Sequence, residues 1–159
     1  MTNQKNRIRF DRKRILFTVL SVLGVFAGLQ NASGQTNYSS QALEYFKRGL
    51  ECLIVGDYDN AISNCTVVLR FDPNSAVTYT VRARAHYEKG DMEKAIADST
   101  QAIRLDRNNI SAYIIRGNAY GRSGNFDRAI ADWEAVLRIS PENTDARQNI
   151  DLARERRGS

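Results

Sequence analysis

From Ala42 to Arg157, small and apolar residues recur at the three- and four-residue spacing of amphipathic helices, and the pattern breaks at turn residues. The segment from Ala76 to Lys89 opens after Ser75, whose hydroxyl suits a helix N-cap, and closes at Gly90, suited to the left-handed conformation that ends a helix. Asp91 then caps a second helix, predicted from about Met92 to Leu105 and ended by an Asp-rich turn. The same grammar comes before and after this pair. A last segment, capped by Thr144, puts Ala146, Ile150 and Ala153 on one face and charges elsewhere. The pattern predicts an all-α chain of helical hairpins closed by a solvated end helix.

The hairpins are copies of one unit. "GDYDNAI" begins at Gly56, "GDMEKAI" at Gly90 and "GNFDRAI" at Gly124, a step of 34 residues each time. The same step relates Tyr45, Tyr79 and Tyr113, then Arg48, Arg82 and Arg116, then Ala61, Ala95 and Ala129. "FDPN" at Phe71, "LDRN" at Leu105 and "ISPE" at Ile139 mark the turns between units. Small residues at Gly49, Ala83 and Gly117 allow paired helices to approach closely, and one hairpin cannot bury its apolar face alone, so the units must stack.

This period and order of landmarks resemble the tetratricopeptide repeat. The resemblance spans Ala42 to Asn143 and implies a right-handed α-solenoid: repeats at 42–75, 76–109 and 110–143, then a capping helix at 144–157. Arg48, Arg82 and Arg116 stand where the broad consensus has Leu and resemble the "RGxAY" subclass. Cys52 and His86 replace an aromatic that Tyr120 retains, and Arg107 replaces a Pro.

Charge distribution removes one class of function. The chain has 159 residues and a net charge of +5. Lys5, Arg7, Arg9, Arg12, Lys13 and Arg14 against Asp11 account for all of it, so the repeat body is neutral and carries no footprint for nucleic acid. After these charges comes the apolar run Ile15 to Leu29 and a small-residue exit at Ala32-Ser33-Gly34. Residues 1–34 therefore read as a secretory signal peptide with a new N-terminus at Gln35, the alternative being an uncleaved membrane anchor. Either places the repeats outside the cytoplasm, periplasmic or secreted, after a short linker at 35–41. The two cysteines, Cys52 and Cys65, read as small apolar residues of a helix pair in preference to a disulfide, and they lack the ligands of a zinc site.

The sequence presents no catalytic constellation, no metal cluster and no phosphate-binding glycine loop, so no enzyme activity or cofactor is expected. His86 reads as a hydrogen-bonded structural residue. Counted back from the Gly turn, Arg82 and Asp98 lie at comparable depth on two antiparallel helices, as do Arg116 and Asp132, which predicts a partly buried, charge-assisted pair inside each hairpin or with its neighbour. Asn64 takes the matching place in the first unit, leaving Arg48 a hydrogen bond without a charge partner.

The resemblance also implies a concave groove lined by the first helix of each unit. Its residues would be Leu43, Phe46, Leu50 and Leu53, then Val77, Thr80, Arg84 and Tyr87, then Ser111, Ile114, Asn118 and Arg122. The positions at which some members grip a C-terminal carboxylate hold Phe46, Leu50, Val81, Ser111 and Ile115, with no basic residue or Asn among them. The expected function is that of an exported adaptor that holds a protein segment in this groove and assembles an envelope complex. The alternative is a subunit that self-associates through its mostly apolar first helix and cradles a small apolar ligand or serves a transport system.

Overall fold

A computed structural model describes residues 36–157, and all regular structure among them is helical: α1 (Thr36–Val55), α2 (Tyr58–Phe71), α3 (Ala76–Lys89), α4 (Met92–Leu105), α5 (Ile110–Arg122), α6 (Phe126–Ile139) and α7 (Thr144–Arg157). The expected leader and its expected cleavage site lie outside the described residues. The expected linker does not end at residue 41. Helix α1 begins at Thr36: "TNYSSQ" contains neither Gly nor Pro, so no residue in it breaks the backbone bonds of the helix.

Consecutive helices pair into hairpins and each hairpin packs on the next. The three turns inside hairpins run through Gly56, Gly90 and Gly124 at φ +85°, +101° and +77°, a region that favours glycine. N-caps follow a regular scheme: Ser75, Asn109 and Asn125 each accept a hydrogen bond from the backbone N–H three residues on. Two expectations about caps need correction. Asp91 occupies an N-cap position but makes no side-chain cap bond; its carboxylate turns instead toward His86 and Lys94. The cap of α7 is Asn143, which accepts from Ala146 N at 2.9 Å, and Thr144 is already the first helical residue.

The odd-numbered helices form one row and the even-numbered helices another. Helix α3 touches α5 directly, whereas no comparable contact joins α2 to α4 or α4 to α6. The closer approach of α3 to α5 is that of a double row curved toward its odd-numbered helices, and the 34-residue step gives α1 the equivalent place on that inner face. At the end of the stack α7 lays Ala146, Ile150 and Ala153 on α6, where they join Ala129, Ile130, Trp133 and Val136 in one core cluster.

Candidate functional site

Two kinds of residue recur along the inner row, and the structure separates them. The first kind ties helices together. Arg82 donates from Nε and Nη2 to the two carboxylate oxygens of Asp98, at 2.7 and 2.8 Å, and Arg116 does the same to Asp132, at 2.9 and 2.7 Å. Each guanidinium also donates from Nη1, at 3.1 Å, to a threonine of the preceding hairpin: Arg82 to Thr66 and Arg116 to Thr100. Each lies over the tyrosine one turn earlier, Tyr79 or Tyr113. The bonded carboxylate raises both guanidinium pKa values, against the opposing effect of burial.

The threonines were not foreseen, although Thr66 and Thr100 share the 34-residue step. Arg48 differs from the expectation. It forms an exposed pair with Glu44 of its own helix, at 3.2 Å, while Asn64 donates to the Asn60 carbonyl. Among the described residues no helix lies before α1 to supply a threonine, and a short amide beside a backbone acceptor satisfies itself locally.

His86 sits among the same groups, with Nδ1 3.4 Å from Asp91 and Nε2 4.0 Å from Asp98. Burial pushes its pKa below the ordinary value, opposed by the two carboxylates and assisted by Arg82. Cys65 lies buried against Gly49, and burial pushes its thiol up to about 12; both cysteines are free. Among the described residues no group of three or more His, Cys, Asp or Glu side chains could hold a metal ion.

The second kind of residue forms the inner surface, and four of the residues expected there are core instead. Phe46 and Leu50 are 4% and 7% exposed, because side chains converge on the inner side of a curved row and a large apolar group there loses its water. Tyr87, at 7%, packs against Ala83, Ala95, Ile115 and Ala119, whose small side chains leave room for the ring. Asn118, at 1%, accepts a 3.2 Å hydrogen bond from the Trp133 indole, which lies flat on Gly117.

Leu43, Leu53, Thr80, Arg84 and Ile114 are half-buried, and Ser111 and Arg122 are exposed. Thr80 accepts from Asn109 Nδ2, and Arg84 pairs with Glu88 at 2.7 Å. Arg122 donates to the Tyr87 carbonyl at 3.3 Å with its guanidinium 5.1 Å from the Tyr87 ring centre. The 34-residue step places Arg122 in a column whose other members the expected lining omitted: Ile54, Glu88 and Arg122 hold equivalent places on α1, α3 and α5. Ile54 and its neighbour Val55 are exposed apolar residues.

Helix α1 is not apolar around its circumference in the fold. Its stripe facing away from the stack carries Glu44, Lys47, Arg48 and Glu51, all exposed. No helix among the described residues is long and apolar enough to cross a membrane.

A solenoid of helical hairpins held by one repeated set of frame contacts, with a variable inner face, is a helical-repeat protein. The family model described as "TPR repeat" matches residues 83–124 and that described as "Tetratricopeptide repeat" matches 110–143. The chain is similar to the first TPR of Spaghetti (RPAP3) bound to HSP90 peptide SRMEEVD, with 30% identity, coverage of 76% of this chain and 96% of that one, and a TM-score of 0.73. It is also similar to the second TPR domain of human RPAP3 in complex with HSP70 peptide SGPTIEEVD, with 31% identity, 74% and 98% coverage, and a TM-score of 0.70. The Arabidopsis OM64 TPR domain shares the fold at 24% identity, 74% and 98% coverage, and a TM-score of 0.72. No curated protein sequence matches the chain. The chain belongs to the tetratricopeptide repeat family. The first hairpin lies outside both matched ranges, and it is the one in which Arg48 lacks the Asp and Thr partners of its equivalents.

Proposed function

We propose that this protein is an interaction scaffold that holds a segment of a partner protein on the inner face of α1, α3 and α5, and that it acts outside the cytoplasm in organising an envelope complex. One observation carries the reading. The frame repeats residue for residue, as Tyr45, Tyr79 and Tyr113 or Arg48, Arg82 and Arg116, while inner-face positions change completely, as Leu43, Val77 and Ser111 or Ile54, Glu88 and Arg122. A face needed only for stacking would repeat with the frame. The peptide complexes among the similar structures support the same use of the fold. The basic leader and its apolar run support export.

Carboxylate gripping of the kind that reads a chain terminus has no support, since Phe46, Leu50 and Ile115 are buried apolar residues and Val81 and Ser111 are uncharged. A photo-crosslinking amino acid placed at Ser111 or Ile54 is expected to capture the partner in the native cell, and one placed at Arg138, exposed on α6, is not. Capture from Arg138 alone would overturn the inner-face assignment. N-terminal sequencing of the same material tests export: a chain beginning at Gln35 is expected, and an intact Met1 would leave the anchor as the surviving form.

A further inference from the structure

The inner-face reading leaves the chemistry of the held segment open, and the column Ile54, Glu88 and Arg122 narrows it. Its three members differ in kind. On α1 the end of the groove is apolar and open to water: Ile54 is 45% exposed and Val55 is 78% exposed, beside the half-buried Leu53. On α3 the charge is internally matched, because Glu88 already accepts from Arg84 at 2.7 Å. On α5 Arg122 is exposed, and its contacts orient the guanidinium without neutralising it. The Tyr87 ring supports it at 5.1 Å, the Tyr87 carbonyl takes a hydrogen bond from Nη1 at 3.3 Å, and no carboxylate pairs with it among the described residues. The Tyr87 hydroxyl also draws on the guanidinium, and beyond these Tyr87 contacts N–H donors remain for another acceptor. A cation held in place in this way, with unused donors, is suited to receive a carboxylate.

The spacing of the column adds a length. Neighbouring packed helices lie about 10 Å apart, so the three places are separated by steps of about 10 Å. An extended polyproline-II chain rises about 3.1 Å per residue with three residues per turn, so every third side chain points the same way at steps of about 9 Å. An α-helix needs about six or seven residues to advance as far.

We infer, resting on the inner-face reading, that the groove takes an extended segment bearing a large apolar side chain at the Leu53–Val55 end and an aspartate or glutamate six residues away, received by Arg122. The middle contact, opposite the Arg84–Glu88 pair, takes a polar or small residue. The carboxylate belongs to a side chain, so the segment can lie anywhere in its parent protein. This separates the mode from recognition of a chain terminus.

The test is selection of dodecapeptides from a random displayed library on the full chain, on Arg122→Glu and on Ile54→Asp, followed by binding measurements with a synthetic consensus peptide and its C-terminally amidated form. Wild-type selections are expected to converge on an apolar residue and an acid six positions apart, read in either direction. Arg122→Glu is expected to weaken the consensus peptide at least tenfold and to select Lys or Arg at the acidic position. Ile54→Asp is expected to remove the apolar preference. Amidation is expected to change affinity less than twofold. Both substituted positions are exposed, and thermal melts should show each variant folded.

An acidic preference that persists in Arg122→Glu, a spacing near thirteen, or the absence of any preferred spacing overturns this inference while leaving peptide capture intact. A wild-type chain that selects no peptide above background, with crosslinks absent from Ser111 and Ile54, overturns the inner-face reading itself.

Discussion

Arg116 shows how a charge is held within a neutral helical stack. Its guanidinium uses two donors on Asp132, one on Thr100 and its flat face on Tyr113, so desolvation is offset by bonds in three directions. Removing the carboxylate leaves a largely buried cation beside its remaining weaker partners. Asp132→Ala is therefore expected to cost about 3 kcal/mol in urea unfolding. Arg48→Ala, at the exposed equivalent, is expected to stay within about 0.5 kcal/mol. A double-mutant cycle on Arg116 and Asp132 that shows no coupling would mean that the pair is incidental to stability.

His86 permits a test of sign. Its folded pKa lies below the ordinary value, with burial as the first cause, so the folded state favours the neutral ring. The contribution is present above the unfolded value near 6.5 and is lost as pH falls through the folded one, because the unfolded chain then binds the proton more readily. Melting curves at pH 7.5 and 5.5 should show a larger loss for the native chain than for His86→Tyr, which places the residue of Tyr120 at the equivalent site. Equal losses would show that His86 is not linked to folding.

At the scale of the helix, two residues on α4 explain why the stack is regular. Asp98 reaches back to Arg82 on α3 and Thr100 reaches forward to Arg116 on α5; two positions apart on a helix they point to nearly opposite sides. Counting along a hairpin makes the Arg–Asp pair legible in the sequence, because both residues belong to one unit. The threonine belongs to the unit before, so only comparison of Thr66 with Thr100 across units could have found it. Helix bounds were legible for the same local reason, since glycine and cap residues act within a turn.

Burial on the inner face was less legible, because it depends on how neighbouring side chains converge. Gly117 is one such place, where an added Cβ would come 2.8 Å from the Trp133 indole nitrogen. Gly117→Ala gains helix propensity but overpacks this contact, and a net loss of about 1–3 kcal/mol is expected, with a shift in Trp133 fluorescence. The end helix offers a paired check. Asn143→Ala should cost about 1 kcal/mol and Thr144→Ala much less, since the cap bond belongs to Asn143. Equal costs would refute that placement.

At the scale of the whole molecule, what ends the stack matters as much as what builds it. Where α3 and α5 meet the hairpin before them, they present Thr78 and Ala85, or Ala112 and Ala119, all buried and small enough for close packing. The equivalent places on α1 are Glu44 and Glu51, both exposed. A further hairpin, or a second copy stacking end to end, would bury these two carboxylates, Glu44 with only its Arg48 pair, and a buried charge is costly unless it is fully paired and hydrogen-bonded. The first helix read as apolar because Phe46, Leu50 and Leu53 stand out in the sequence, but the first two are buried in the fold and the open stripe is charged. Replacing both carboxylates with their internal equivalents, Glu44→Thr with Glu51→Ala, should remove this barrier. Light scattering across a concentration series is expected to show mass rising for the double variant above that of the unaltered chain, and Glu44→Gln with Glu51→Gln, which removes charge but keeps bulk, should lie between. If all three give one mass at every concentration, the two glutamates do not limit the stack, and the difference between Arg48 and its equivalents, which bond an Asp and a Thr, is the next feature to test.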